Sequence, residues 1–304
     1  MGITRREFSK ISLGVATAVT VGMPAMAGPS DFVKRPIPST GEMIPIIGLG
    51  TNRYGVGDGE TARAPLRAAL KRFSELGGTV IDTAPMYRSS ESVLGDLIAE
   101  LGIRGDLFVA TKQDRTSGEE TVAQMHESLR RLRTDQVDLM QVHNLLGWRD
   151  ALPLMRKWKD EGRIRYIGIT TSRGSQYGDF EHIMRKEDLD FVQLNYSVEQ
   201  RQAADRLMPL AADRGMAVMI NRAFGGGRIF AAVGDRPVPE WAREFDCATW
   251  AQVLLKYALS HPAATVAIPG MTKAHHVDDN MMAGHGRMPD APERKKIEAF
   301  YDAL

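Results

Sequence analysis

From residue 41 onward, short runs of apolar and β-branched residues alternate with longer amphipathic segments. The runs lie at 44–49, 79–81, 107–110, 137–140, 164–169, 191–194, 217–220 and 265–268. Short apolar runs bounded by turn residues predict strands buried on both faces. Between them, apolar positions recur at helical spacing over 61–76, 91–101, 119–132, 150–161, 174–186, 202–214 and 249–260, with another such segment at 274–283 after the last run. Leu66, Ala69, Leu70 and Phe73 make one stripe, and Met125, Leu129 and Leu132 make another. Such stripes predict helices that lay one face on a core. Eight strand–helix repeats predict an α/β fold of the (β/α)8 TIM barrel class. A doubly wound sheet would need a glycine-rich phosphate turn, and no G-x-G-x-x-G opens a helix here. A final helical segment, 290–303, is read as an appendage to the barrel.

Ahead of this pattern stand the paired arginines Arg5-Arg6, a weakly apolar stretch from 11 to 23, and the small residues Ala25-Met26-Ala27. A basic head, a short apolar middle and an A-x-A-like cut site predict a twin-arginine signal peptide over 1–27 and a barrel domain over 28–304. The export machinery is then a partner, and the mature protein is expected in the periplasm or beyond. The apolar stretch is too short for a membrane span. Lys plus Arg total 39 and Asp plus Glu 38, for a net charge of +1, which argues against nucleic acid or an anionic membrane surface as a partner. The lone Cys247 allows no intrachain disulfide, so stability must come from a core.

In a barrel of this class the chemistry sits at the C-terminal ends of the strands. The second run ends in Asp82, with Tyr87 in the loop beyond it; the third ends in Thr111-Lys112 and the fourth in Gln141-Val142-His143. Taken singly, each has an ordinary structural reading as a capping acid, a solvated lysine or a satisfied histidine. Together they have the makings of a reductase. Lys112 beside Tyr87 would lower the phenol's pKa, Asp82 would pair with Lys112, and His143 would donate to a substrate carbonyl oxygen. No spacing of His or Cys suggests a metal site.

Several pieces carry a resemblance to a known family: 47–52 (Ile-Gly-Leu-Gly-Thr-Asn), 81–87 (Ile-Asp-Thr-Ala-Pro-Met-Tyr), 110–112 (Ala-Thr-Lys), 138–143 (Asp-Leu-Met-Gln-Val-His), 162–169, 193–196 (Gln-Leu-Asn-Tyr) and 268–270 (Ile-Pro-Gly). Over roughly 42 to 280 the chain resembles the aldo-keto reductases. The resemblance implies an oxidoreductase that moves hydride between a nicotinamide cofactor and a small-molecule carbonyl or alcohol. Asp82, Tyr87, Lys112 and His143 match the catalytic four. Gln193 and Thr170 match contacts to the nicotinamide carboxamide, and Gly50, Thr51 and Asn52 line the same end of the cofactor. Phe224 and Gly225, with the glycines that follow, resemble the loop over the pyrophosphate. Gly270 lies in the matching 268–270 piece. His276, Asp279 and Asn280 align with adenosine-end contacts, and Lys273 stands where it would meet a 2′-phosphate.

The departures are Thr170-Thr171 in place of serine and asparagine, and Asn221 in place of an aromatic, followed by Arg222, which would reach a phosphate. NADP(H) is favoured as cofactor, with NAD(H) open. Tyr54, Met86 and Trp148 are expected to shape the substrate pocket, together with an insertion over 228–246. A monomer is the default that the resemblance implies. The alternatives are a dinucleotide-binding sensor or partner-binding barrel with little turnover, and a lyase or isomerase using Lys112 as a Schiff base.

Overall fold

The computed structural model describes residues 32–304, and the segment read as a signal peptide lies outside them. An antiparallel hairpin comes first, β1 (Lys34–Pro36) with β2 (Met43–Pro45). Eight parallel strands follow in chain order: β3 (Leu49–Gly50), β4 (Val80–Asp82), β5 (Phe108–Gln113), β6 (Val137–His143), β7 (Ile164–Thr170), β8 (Phe191–Asn195), β9 (Ala217–Asn221) and β10 (Ala264–Ala267). Bridges Ile47–Ala267 and Gly50–Gly270 bring the last strand back to the first, with Gly48 N donating to Ala267 O at 2.8 Å. A Cβ on Gly50 would stand 2.6 Å from the Ile268 carbonyl oxygen, so this seam requires glycine. The fold is the predicted (β/α)8 barrel.

The helices are α1 (Glu60–Glu75), α2 (Ser90–Leu101), α3 (Gly118–Leu132), α4 (Trp148–Asp160), α5 (Tyr177–Lys186), α6 (Ala203–Asp213), α7 (Arg228–Val233), α8 (Trp250–Leu259), α9 (Ala274–Met282) and α10 (Ala291–Asp302). Their ends follow the amphipathic periodicity closely. Ser117 and Thr249 cap α3 and α8 by accepting from backbone N–H groups, and Asp290 with Glu293 forms a capping box on α10. Two features differ from expectation. The first apolar run splits, its early half joining the hairpin, and the insertion after β9 carries its own helix, α7.

The barrel has an outer core against the helices and an inner core in its lumen. In the N-terminal half of the lumen, Val80, Phe108, Leu139, Tyr166, Phe191 and Ala217 pack together, and Ile37 and Ile44 of the hairpin segment close them off. The rings of Phe108, Tyr166 and Phe191 lie 5.6–5.8 Å apart. Burying each such ring contributes about 1.5–3 kcal/mol. Tyr166 Oη donates to Glu42 Oε2 at 2.6 Å, which ties the plug to β7.

Side chains on a strand alternate faces, so two residues onward the same lumen face continues. There Val80 gives way to Asp82, Ala110 to Lys112, Leu139 to Gln141 and then His143, and Phe191 to Gln193 and then Asn195. Six of the eight barrel strands, β4 to β9, end in a polar residue. The lumen therefore changes from apolar to polar towards its C-terminal mouth. Among the described residues no helix is long and apolar enough to cross a membrane.

Candidate active site

Lys112 reaches across the β4–β5 pairing to Asp82. Its Nζ stands 2.7 Å from both carboxylate oxygens and 2.8 Å from the Thr83 carbonyl. Both side chains are buried, and an ion pair buried this deeply holds only when its remaining bonds are satisfied. Asp82 Oδ1 also accepts from Gln193 Nε2 at 2.9 Å and from Gln141 Nε2 at 3.4 Å. Burial pulls the ammonium towards deprotonation, but the Asp82 carboxylate and Tyr87 outweigh it, and the Lys112 pKa is raised.

Tyr87 sits in the turn after β4, its N–H donating to Ala84 O at 3.0 Å. Lys112 Nζ lies 5.4 Å from the Tyr87 ring centroid. The His143 ring meets Tyr87 edge-on, with centroids 6.0 Å apart and an interplanar angle of 90°. The four residues matched to a catalytic set therefore converge on one end of the lumen. One expectation is corrected here. Burial pushes the Tyr87 phenol above its ordinary pKa, and the nearby Lys112 charge only partly offsets this. The phenol is thus a held proton at neutral pH rather than an easily formed phenolate. Burial, with Lys112 and Arg173, lowers the His143 pKa to about 3, so its imidazole is neutral, and its Nδ1 has no protein partner.

The residues matched to cofactor contacts divide into free and occupied groups. Thr51 Oγ1 donates to Asp82 O at 2.9 Å, and Thr170 Oγ1 donates to Gln193 Oε1 at 2.6 Å. Gln193, bonded to Asp82 and 3.0 Å from Met219 Sδ, has both ends of its amide engaged within the protein. Asp279 Oδ1 accepts from Thr249 and Gln252, holding the start of α8. By contrast, Asn221 donates to Thr171 O at 3.3 Å while its Oδ1 has no partner. Arg222, at φ 53°, leads into Gly225, Gly226 and Gly227, all at positive φ, and its guanidinium lies over Gly226. Phe224 packs on Phe230 with ring centroids 5.0 Å apart. Asn52 Oδ1 lies beside Gly270, which Gly50 bridges. Lys273 and His276 are exposed at the start of α9, while Asn280 is buried in it.

The model of the aldo/keto reductase family matches residues 46–301, most of the chain. The chain belongs to the aldo/keto reductase family. It is 31% identical over 204 residues to the aldo-keto reductase YhdN of Bacillus subtilis, an alignment spanning 60% of each chain. It is 28% identical over 244 residues to the methylglyoxal reductase YeaE of Escherichia coli, covering 78% of this chain and 84% of that one. In structure it resembles an aldo-keto reductase from Klebsiella pneumoniae solved in complex with NADPH, with a TM-score of 0.71 and 26% identity, covering 88% of this chain and 95% of that one.

As a pocket residue of this reductase, Tyr54 is not as expected. It is fully buried, and its hydroxyl donates to Met271 O at 3.0 Å, so it fastens the β3 loop to the segment after β10. Met86 is exposed, and Trp148 is half-buried at the first position of α4, with the Arg149 guanidinium 4.5 Å from its ring centroid. Two further polar residues at the mouth escaped the sequence reading. Gln141 donates to Asp82, and Asn195, in register with Asn221, donates to Ser172 O at 2.9 Å. Their signal was the strand period, since each lies two residues from a residue already singled out. Among the described residues no group of three or more His, Cys, Asp or Glu could hold a metal ion.

Proposed function

We propose that this chain reduces the carbonyl of a small aldehyde or ketone to an alcohol with NADP(H), Tyr87 acting as the proton donor, and that it runs the reverse reaction when the alcohol is in excess. The observation that carries the reading is the buried Lys112–Asp82 pair, 2.7 Å apart, facing the Tyr87 ring across from a neutral His143. The residues at the mouth fit a dinucleotide. Three buried amide oxygens, of Gln141, Asn195 and Asn221, lack partners, and acceptors in that state suit a carboxamide donor. Arg222 over the glycine turn suits a pyrophosphate, and Lys273 with His276 suits a 2′-phosphate. The bound cofactor would supply hydride to the carbonyl carbon. Tyr87 Oη would give its proton to the carbonyl oxygen, and the Lys112 charge would stabilise the phenolate left behind until solvent reprotonates it. His143, neutral, would hold the carbonyl oxygen through its N–H.

The test is steady-state NADPH oxidation with a panel of aldehydes, comparing the native chain with Tyr87→Phe. A rate that survives this change within a few-fold would favour the sensor reading instead. Export is a separate proposal, supported by Arg5-Arg6 and the segment up to Ala27. Because the free nicotinamide pool is cytoplasmic, it goes with a cofactor bound before export. Mature protein found only in the cytoplasmic fraction, or periplasmic protein without bound dinucleotide by mass spectrometry, would count against it.

A further inference from the structure

Arginine pairing differs between the barrel mouth and the rest of the surface. Away from the mouth, guanidiniums are held: Arg156 on Glu187 at 2.7 Å, Arg214 on Asp188 at 3.2 Å, Arg131 on Glu127 at 2.8 Å. Among the described residues Arg53, Arg88, Arg149, Arg173, Arg222 and Arg243 have neither a carboxylate nor a carbonyl partner, and all are exposed. Arg243 lies in the insertion. The other five follow within six residues the C-terminal ends of β3, β4, β6, β7 and β9. Arg222 belongs with the glycine turn, and Arg149 stacks on Trp148. That leaves Arg53, Arg88 and Arg173, on the loops after β3, β4 and β7, of which the β4 loop also carries Tyr87.

Their placement is built into the loops. Arg88 follows Tyr87 directly and holds φ at 57°, a left-handed conformation uncommon for a residue other than glycine. The surroundings are close: a Cβ on Gly55 would stand 2.3 Å from the Tyr87 carbonyl oxygen, so the loop carrying Arg53 packs on the backbone that carries Tyr87 and Arg88. Arg173 comes from the loop after β7, and its charge acts on His143. Several acids of this face have other partners. Asp58 pairs with Arg63, Asp114 accepts from Gln124 Nε2 at 2.7 Å, and Glu199 holds Arg228 through both oxygens. Asp150 and Asp179 sit in the first turns of α4 and α5, where the helix dipole favours them.

We propose that Arg53, Arg88 and Arg173 form an anion-recognition site at the mouth, and that the physiological carbonyl substrate carries an anionic group, carboxylate or phosphate, away from its carbonyl. Three guanidiniums on three loops present planar forks that match either oxyanion. Their uncompensated charge also raises the local concentration of an anionic substrate. The proposal rests on the reductase reading for the carbonyl and on the arginines alone for the anion.

The test uses matched pairs on the NADPH-loaded protein: 4-carboxybenzaldehyde against methyl 4-formylbenzoate, and glyceraldehyde 3-phosphate against glyceraldehyde. The expected result is a kcat/KM about tenfold or more higher for at least one anionic member, carried by KM and shrinking as salt is raised. Which pair shows the larger ratio distinguishes carboxylate from phosphate. Arg88→Gln and Arg173→Gln should drive that ratio towards one, and Arg88→Lys and Arg173→Lys should restore part of it. Equal kcat/KM within each pair, or a ratio indifferent to both glutamine variants, overturns the proposal. Calorimetric titration of the same four compounds keeps the two readings apart. If the anions bind more tightly than their neutral partners but none is reduced, the reductase reading fails and the anion site stands; if they bind no more tightly, the anion site fails whatever the turnover.

Discussion

The two ends of the barrel lumen are made by the same strands, two residues apart, and they behave as different materials. The N-terminal end is apolar, with Val80, Phe108, Leu139, Tyr166 and Phe191 packed under the hairpin plug, and its polar rim is satisfied: Glu42 takes Tyr166 and Arg165, and Asp138 takes Arg165 and the Val109 N–H. The C-terminal end is polar and deliberately incomplete. Within the barrel strands, the buried polar atoms without partners are Gln141 Oε1, His143 Nδ1, Asn195 Oδ1 and Asn221 Oδ1, all at the mouth. An unsatisfied buried acceptor costs about 1–3 kcal/mol, so the mouth is held at an energetic cost that the closed end offsets. One end stabilises the molecule, and the other keeps groups available for a ligand.

Substitutions at the two ends should have different consequences. The largest contrast is expected from Tyr87→Phe. It should lower kcat/KM for carbonyl reduction by about 10²–10⁴-fold, with unfolding free energy within about 0.5 kcal/mol of native, read by urea denaturation. Phe191→Ala at the closed end should do the opposite. It should cost about 3–5 kcal/mol in the same denaturation experiment while kcat per folded molecule stays near native. A large kcat loss in Phe191→Ala at temperatures where it is fully folded would show that the two ends are coupled.

Asn221→Leu sharpens the distinction from the open side. The change removes both the orphaned oxygen and the donor to Thr171 O, two effects of opposite sign, so ligand-free stability should stay within about 1 kcal/mol of native, while NADPH affinity, followed by fluorescence titration, falls. Lower stability together with unchanged affinity would mean that the Asn221 bond to Thr171 O is structural and its oxygen idle. The smallest effect is expected from pH. His143 stays neutral down to about 3, and Tyr87 is held above its ordinary value and so keeps its proton. The kcat/KM for reduction should therefore be level from about pH 5 to about pH 9, without the inflection near 6.5 that an ordinary histidine would give. The reverse oxidation, which needs the phenolate, should rise with pH over the same range. An inflection near 6.5 in the reduction profile would mean that His143 is far less buried in the working enzyme than here.

The alternation of apolar runs with amphipathic segments, and the polar residues that end those runs, were legible along the chain because both are local patterns. The strand period alone puts Asp82, Lys112 and His143 on the lumen face, and the helix stripes on 61–76 and 119–132 reappear as α1 and α3 almost residue for residue. The twin-arginine reading falls on residues outside those described and stays a proposal. The Asp82–Lys112 pair was expected and stands at 2.7 Å, but the other partners were not decided by sequence. Gln193 and Thr170 were expected to face a cofactor; in the fold Gln193 bonds to Asp82, 111 positions away, and Thr170 to Gln193. Tyr54 was expected in a pocket, and it reaches Met271, 217 positions on. Lys112 does act to lower the Tyr87 pKa as expected, but burial outweighs it and the pKa is raised. The hairpin plug, the split of the first apolar run and the gathering of unpaired arginines at the mouth also depend on packing. Period and polarity are set by each residue and its near neighbours, so sequence determines them. Partner choice and desolvation are competitions among groups brought together from across the chain, so only the tertiary structure could settle them.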